Sequence, residues 1–413
     1  MDETDFQLPH PAAARLMTAN FLARVPRGWI LLASIGLIAL NMRGPFVAVA
    51  PVVGPMQQDL GFSPVELGLL TGIPVLCFSL AAPLASFAGR KFGAEFAIML
   101  TLLGVLAGVI VRSAGNGVLV LFGTAIIGLA ITIGNIAVPL IIRRDFSPRR
   151  QGTAMGIYTA ALNIGSFLTS VVTAPLAELA GWRLSLAASG LFAVAAIVFW
   201  VLAAGRQAFV PAAVEDSDPR PAGGRPASRW ITVGLTAGFA GQAFSYYGVT
   251  AWLPTFLIDE LGMAPSAAGA GSSLFQILAI VGGLGVPMVA RFASTTAVAV
   301  TLGVMWLTVP LGLLLAPELW WLWSSLGGAA QGGGITVIFI AIIRLARDQA
   351  SAGRMSAVVQ GVGYSVGATA PTLLGYVHGL SGSWTNPLLL ILGSVAAFFL
   401  GTTLSVRKVP KTR

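Results

Sequence analysis

Residues 29–55, WILLASIGLIALNMRGPFVAVAPVVGP, form an apolar segment long enough to cross a lipid bilayer, which takes roughly 20 apolar residues. The segment carries one charge, Arg43, near its middle. An arginine at this depth costs at least about 2.5 kcal/mol on insertion scales, and a side chain reaches the interface only from a helix end. A water-filled cavity, an internal carboxylate or an anionic ligand must therefore solvate Arg43.

Carboxylate partners for Arg43 are scarce in this sequence. All 15 Asp and Glu residues fall in the termini, in loops or close to the predicted helix ends. A polar cavity that admits a ligand is the simpler explanation, because charges inside a membrane usually mark functional sites. The alternative is that Arg43 caps backbone carbonyls freed by Gly44 and Pro45, since proline removes a donor and kinks a helix.

The composition is that of an integral membrane protein. Of the 413 residues, 56% are hydrophobic and only 9% are charged, against about 25% charged in a soluble domain. We predict twelve membrane-spanning helices, because the lipid core forces the backbone to satisfy its own hydrogen bonds. The spans cover residues 28–55, 64–87, 93–112, 116–142, 151–177, 183–204, 230–258, 265–290, 295–316, 319–344, 353–378 and 384–406.

The twelve spans fall into two groups of six. Residues 26–205 are predicted to form an N-terminal six-helix bundle and residues 229–406 a C-terminal one. Between them, residues 206–228 are rich in Pro, Gly and charge and are predicted to be a flexible cytoplasmic linker. Residues 1–25 and 407–413 are predicted to be cytoplasmic tails.

A repeat with a constant offset of 201 residues relates the two groups. The offset places Arg90 opposite Arg291 and Arg143 opposite Arg344, and leucine, proline and glycine positions match without gaps. The predicted fold is therefore an all-α membrane protein of two pseudo-symmetric six-helix bundles, related by an axis along the membrane normal. In transporters built this way, the substrate site lies between the halves near the midplane.

Lysine and arginine residues concentrate on one predicted side of the membrane. Of the 24 Lys and Arg, all but Arg43, Arg112 and Arg183 fall in segments predicted to face the cytoplasm, and the last two fall in outside loops. Because cytoplasmic loops carry the excess of basic residues, we predict cytoplasmic termini in the cytoplasmic (inner) membrane. The same distribution argues against a nucleic-acid partner despite the net charge of +9.

Polar side chains at helical spacing are candidate ligands of the cavity. Gln242 and Tyr246 on span seven, and Gln360 and Tyr364 on span eleven, are each four residues apart and share a helix face. The first pair flanks the position that the repeat relates to Arg43. Amides and phenols can orient a small polar ligand without adding charge. Interhelical hydrogen bonding or packing is the alternative role for each of them.

Further polar candidates lie on spans one, four and five. Span four contributes Asn135, and span five contributes Tyr158 and Asn163. Asn41 lies on a different helical face from the arginine of span one, where we expect it to support the kink. Tyr247 is expected to point away from the site and to pack.

Nothing in the sequence predicts catalysis or a resident metal. The two histidines, His10 and His378, are far apart, and the single cysteine, Cys77, lies in an apolar run. There is no Ser/His/Asp set, metal-ligand cluster or phosphate loop, so we predict no enzymatic activity, no cofactor and no metal. A transporter-like membrane sensor is the alternative from a different class, although the linker and termini are short for an effector domain.

Several stretches carry a family resemblance: NMRGPFVAVAPVV (41–53), QQDLGFSPVELGLLTGIPVLCFSLAAPLA (57–85), IGNIAVPLIIRRDF (133–146), QAFSYYGVTAWLP (242–254) and VQGVGYSVGATAPTLLGYVHGLSGSW (359–384). They resemble the cyanate and 2-nitroimidazole transporter branch of the major facilitator superfamily. The recurring motif positions within the match are Asn41, Arg43, Asn135, Gln242, Trp252, Gln360 and Tyr364. The sequence departs from the family pattern at two places. Gly44 separates Arg43 from the proline that often follows this arginine directly, and the loop SFAGRKFG lacks the acidic residue of the general superfamily motif.

The resemblance implies a major facilitator fold that moves a small polar or anionic solute, such as a cyanate-like anion or a nitroimidazole-like azole, by alternating access. The predicted substrate-binding residues are Arg43, Asn41, Asn135, Gln242, Tyr246, Gln360 and Tyr364. A drug or metabolite efflux pump is the alternative within transporters, and a central arginine argues against cationic substrates. Proton coupling, exchange for a counter-anion and uniport all stay open, because no carboxylate is central. We expect a monomer.

Overall fold

The computed structural model describes residues 27–211, 229–290, 292–345 and 349–407. Every regular element in these ranges is an α-helix or a short 3₁₀ turn. Eight helices are long and apolar enough to cross a membrane, which confirms the prediction of an all-α membrane protein. The predicted N-terminal tail, most of the predicted linker and nearly all of the C-terminal tail lie outside the described residues.

The first six passes through the bundle use eight helices. They are α1 (Arg27–Val47), α2 (Val53–Leu60), α3 (Pro64–Leu80), α4 (Ala82–Phe92), α5 (Ala94–Ala114), α6 (Gly117–Asp145), α7 (Pro148–Ala188) and α8 (Gly190–Ala204). A 3₁₀ turn, Ala50–Val52, joins α1 to α2, so the first pass continues beyond the predicted span. Within α7, Gly181 has a φ of 82°, and this residue ends the fifth pass and begins the sixth.

The last six passes use one helix each. They are α9 (Arg229–Leu261), α10 (Pro265–Val289), α11 (Thr295–Leu315), α12 (Trp320–Leu345), α13 (Gln349–Ser381) and α14 (Thr385–Val406). Together with the first six, their order is consistent with the predicted twelve passes. The halves also repeat their internal packing: α9 contacts α13 and α14, as α1 contacts α7 and α8.

The repeat is visible in the backbone at two pairs of glycines. Gly61 and Gly262, which follow the first and seventh passes, have φ angles of 66° and 62°. Gly181 and Gly382, which precede the sixth and twelfth passes, have φ angles of 82° and 61°. Such left-handed conformations favour glycine because it has no Cβ. Each pair is separated by the same 201 residues that the sequence repeat gives.

Each half also has a tryptophan–aspartate contact at the same place. Trp182 Nε1 donates to Asp59 Oδ2 over 3.1 Å, and Trp384 Nε1 donates to Asp259 Oδ2 over 3.0 Å. Arg183 forms an ion pair with Asp59 as well. These contacts join the end of the first pass to the start of the sixth, and the end of the seventh to the start of the twelfth.

The antiparallel passes give the bundle two ends. We call the end at which Ala204 and Arg229 lie the linker side, and the opposite end the far side. On the far side the halves pack closely through α3 against α13. An ideal Cβ at Gly68 would lie 2.5 Å from the Cα of Thr372, and one at Gly72 would lie 2.7 Å from the carbonyl oxygen of Ala368. The halves are therefore closed against each other on the far side.

Candidate functional site

A cavity of about 790 Å³ lies between the two halves. Its walls come from α1, α3, α4, α6 and α7 of the first half and from α9, α10, α12 and α13 of the second. Lining positions such as Pro83, Pro139, Met155 and Phe339 lie on the parts of these helices nearer the linker side. The cavity therefore opens towards the linker side and ends at the closed far side.

Arg43 lies in the wall of this cavity. Its Nη1 donates to Asn163 Oδ1 over 3.2 Å, and its Cζ lies 5.2 Å from the ring centroid of Tyr246, a cation–π distance. No Asp or Glu of the described ranges lies within 4.0 Å of the Arg43 guanidinium nitrogens. An amide, an aromatic face and the cavity itself thus surround the charge.

The carbonyl of Pro45 is bound by a second arginine. It accepts a hydrogen bond from Nη1 of Arg112 over 2.5 Å, not from Arg43. The placement of Arg112 in an outside loop was therefore wrong. Arg112 lies in the last turn of α5, where it has no exposed surface. From the sequence alone, a charged residue at the end of an apolar segment is assigned to the adjoining loop, because the helix that packs against it is not known.

Of the predicted binding residues, Arg43, Asn135, Gln360 and Tyr364 line the cavity. Asn135 Oδ1 accepts from the Tyr158 hydroxyl over 3.3 Å, and Gln360 Nε2 donates to Ser356 Oγ over 2.7 Å. The ring of Tyr364 packs edge-to-face against Phe78 and Phe239, with ring centroids 5.9 and 5.2 Å apart. Both halves therefore contribute polar groups to the same space.

Asn41 and Gln242 do not reach the cavity wall. Asn41 is buried, and its Nδ2 donates to the carbonyl of Leu37 on its own helix over 2.9 Å. Gln242 is also buried, and its Nε2 donates to the carbonyl of Gln331 over 3.1 Å, which links α9 to α12. In this conformation both side chains support helix packing.

The two tyrosines of α9 exchange the places that the sequence predicts for them. Tyr247 lines the cavity and lies 6.4 Å from Phe46 between ring centroids, so the expectation that it points away was wrong. Tyr246 is not among the lining residues, and its hydroxyl donates to Gln276 Oε1 over 3.3 Å. The Arg43 guanidinium packs against the face of the Tyr246 ring.

Gln331 is a cavity residue that the sequence analysis missed. Its side-chain Nε2 is buried and has no hydrogen-bond partner within the described ranges. It lies in the stretch AAQGGGI, where the run of glycines draws attention to helix flexibility and not to the amide beside it. A lone amide within an otherwise apolar span was the signal available. Because Nε2 has almost no accessible surface, the side chain must turn before this donor can meet a ligand in the cavity.

The site combines one fixed positive charge with neutral hydrogen-bonding groups. Among the described residues, no group of three or more His, Cys, Asp or Glu side chains could hold a metal ion. Such a cavity can attract and orient a small anion or an electron-rich polar molecule. It presents no nucleophile paired with a base, which acyl or phosphoryl transfer needs.

The fold and this central cavity define a membrane transporter of two related six-pass halves. The chain belongs to the Major Facilitator Superfamily, whose sequence profile matches residues 31–371. It is 30% identical over 378 residues to the 2-nitroimidazole transporter of Escherichia coli K12, covering 90% of this chain and 94% of that protein. It is 27% identical over 351 residues to the cyanate transport protein CynX of the same organism, covering 84% and 90%.

Solved structures share the fold. The chain superposes with a TM-score of 0.69 on a bacterial homolog of the human lysosomal transporter Spinster, at 17% identity, with 94% of this chain and 98% of that chain covered. A likeness at this identity concerns the fold. Family and fold together make the chain a multi-pass membrane transporter and not an enzyme.

Proposed function

We propose that the chain is a secondary transporter for a small anionic or electron-rich polar solute, and that Arg43 forms the centre of its binding site. One observation carries the proposal: a permanently charged guanidinium lines a cavity deep in the bundle, with no carboxylate of the described residues in ion-pair range. Because a buried charge needs compensation, a ligand that brings negative charge or electron density is favoured over a cation.

The other wall residues extend this site. Asn135, Gln360 and Tyr364 add neutral polar groups, and Gln331 adds an amide whose buried Nε2 is unpaired among the described residues. The relatives named for 2-nitroimidazole and cyanate transport handle a nitro-substituted azole and a small anion. Both are compact, polar and electron-rich, so they fit one class of ligand that a cation and amides can hold.

We place the chain in the cytoplasmic membrane with both termini in the cytoplasm. The support is the basic character of the linker-side loops, which the positive-inside rule assigns to the cytoplasm. With this orientation the cavity faces the cytoplasm and the glycine contacts close the outer side. Transport then needs a second arrangement in which these contacts separate and the cavity closes inward.

The test is uptake into proteoliposomes by the wild type, Arg43→Gln and Arg183→Gln. The panel is cyanate, nitrate, small carboxylates, 2-nitroimidazole and a cationic dye. Removing a charged partner of a ligand costs about 1.5–3 kcal/mol, so we expect KM for the transported anion or azole to rise about 10- to 100-fold in Arg43→Gln. Arg183 lies on the far side in an ion pair with Asp59, and Arg183→Gln should leave KM unchanged.

Three results would reject the proposal. Saturable uptake that survives Arg43→Gln unchanged would make Arg43 a structural residue. Transport of the cationic dye alone would favour the drug-efflux alternative. Ligand binding without flux in the wild type would favour the sensor alternative.

A further inference from the structure

We propose that Arg112 is a positioning residue for the central site: it holds the break in the first pass and thereby sets where Arg43 lies. This inference rests on the proposed role of Arg43. Arg112 belongs to α5 and does not line the cavity. It acts through the backbone of the first pass.

The break in the first pass leaves the carbonyl of Pro45 without its helical donor. In a regular helix, the carbonyl of Pro45 would accept from the N–H of Val49. Here the Val49 N–H donates to the carbonyl of Phe46 over 3.4 Å, and the Ala48 N–H to that of Gly44 over 2.9 Å. An unpaired carbonyl in a membrane interior is costly, and Nη1 of Arg112 fills the vacant place.

The carbonyl of Pro45, which Arg112 binds, lies close in sequence to residues of the central site. Arg43 lies two residues before Pro45 in α1, and Phe46, which follows Pro45, lines the cavity. The ring of Phe46 lies 6.4 Å from that of Tyr247 in the other half, centroid to centroid. A change in the angle of the break would move the Arg43 side chain and this contact between the halves together.

The remaining donors of Arg112 explain why an arginine suits this place. Nε and Nη2 are buried without a hydrogen-bond partner in the described part of the chain. A guanidinium has several N–H donors, so it can donate to a second carbonyl before it releases the first. The guanidinium can therefore keep hold of the break while α1 and α2 shift against each other. The position at the carboxyl end of α5 also favours a cation through the helix dipole.

The first test is a distance measurement that needs no substrate. In full-length protein with Cys77→Ser, spin labels are placed at Gln57 on α2 and Val118 on α6, which are both exposed. We expect Arg112→Met to shift or broaden the distance distribution and Arg112→Lys to restore most of it. An unchanged distribution in folded Arg112→Met would overturn the inference.

The second test is a double-mutant cycle on cyanate uptake with Arg112→Met and Arg43→Gln. We expect each single substitution to raise KM at least about tenfold, and the double to add little to either, because both act on one group. Independent, additive effects would refute a positioning role. If the wild type carries no cyanate, the cycle uses the anion or azole of the panel that it does carry. If it carries none of them, the proposed function fails, and the distance measurement still decides the role of Arg112.

A further variant covers the case in which Arg112→Met does not fold. Pro51→Ala restores a backbone N–H that can donate to the carbonyl of Val47 and removes the ring at the start of the 3₁₀ turn, so the helix can continue and the Val49 N–H can return to the carbonyl of Pro45. With Arg112 intact, this variant should reproduce the shift in the label distance. A distribution identical to that of the wild type would count against the inference.

Discussion

Gly68 provides a direct test of how the halves close on the far side. A Cβ at this position would lie 2.5 Å from the Cα of Thr372 and 2.6 Å from both the carbonyl carbon and the carbonyl oxygen of Pro371. Carbon atoms in contact prefer about 3.5–4.0 Å. Because the obstructing atoms are helix backbone, no side chain can rotate away. Gly68→Ala should therefore force α3 and α13 about 1 Å or more apart at this point.

The energetic consequence acts on one conformation only. Forcing an extra carbon into a packed contact costs about 1–3 kcal/mol. That cost falls on the far-side-closed arrangement and is absent once the halves have separated there. A differential of this size changes a two-state population ratio by about 5- to 150-fold. Gly68→Ala should thus favour the far-side-open arrangement without disturbing either half internally.

Spin labels on the two halves can measure this population. With Cys77→Ser, labels at Gln58 and Glu260 lie at exposed far-side positions, one on each half. We expect Gly68→Ala to increase the long-distance component. The matched control is Gly36→Ala, because a Cβ at Gly36 would meet nothing within 4 Å. An unchanged distribution in folded Gly68→Ala, or an equal change in the control, would refute the reasoning.

Two other substitutions test the charge of the site and the far-side contacts. Asn163→Asp places a carboxylate where the amide oxygen now lies 3.2 Å from Arg43 Nη1. The resulting internal ion pair should lower the initial rate of anion uptake about tenfold or more. Undiminished uptake would show that transport does not use the Arg43 charge. Trp384→Phe removes the donor to Asp259 and should cost about 1 kcal/mol of stability, measured as a lower melting temperature in detergent. Trp230→Phe, at a residue 82% exposed, should leave the melting temperature unchanged, and equal melting of both variants would contradict the role of the indole hydrogen bond.

The fold was predictable because lipid restricts the chain so strongly. The lengths of the apolar segments predicted the membrane passes, and the 201-residue offset predicted their arrangement in two halves. The internal irregularities were less accessible. Proline and glycine are frequent in membrane helices, so their presence does not show which ones bend the chain. The 3₁₀ turn at Ala50–Val52 was not predicted, whereas the reversal at Gly181 falls in the gap between the predicted spans 151–177 and 183–204.

The site was predictable to the level of its charge and of some helix faces. The depth of Arg43 in its span was informative because a central charge must find compensation. Four-residue spacing identifies residues that share a face, but not the direction in which that face points. Packing decides the rotation of a helix about its axis, which is why Tyr247 and not Tyr246 reaches the cavity. The burial of Arg112 depends on Pro45, a contact between distant parts of the sequence.

The paired tryptophan–aspartate contacts have a consequence for how the protein is made. Trp182 holds Asp59 entirely within the first half, as Trp384 holds Asp259 within the second. Neither hydrogen bond involves a residue of the other half. Because domains generally fold as units during synthesis, the first six passes can assemble in the bilayer while the ribosome is still translating the rest. The second half then packs against a folded first half, and the contacts between the halves, such as those at Gly68 and Gly72 and the Ser79 hydrogen bond to Gly361, form last.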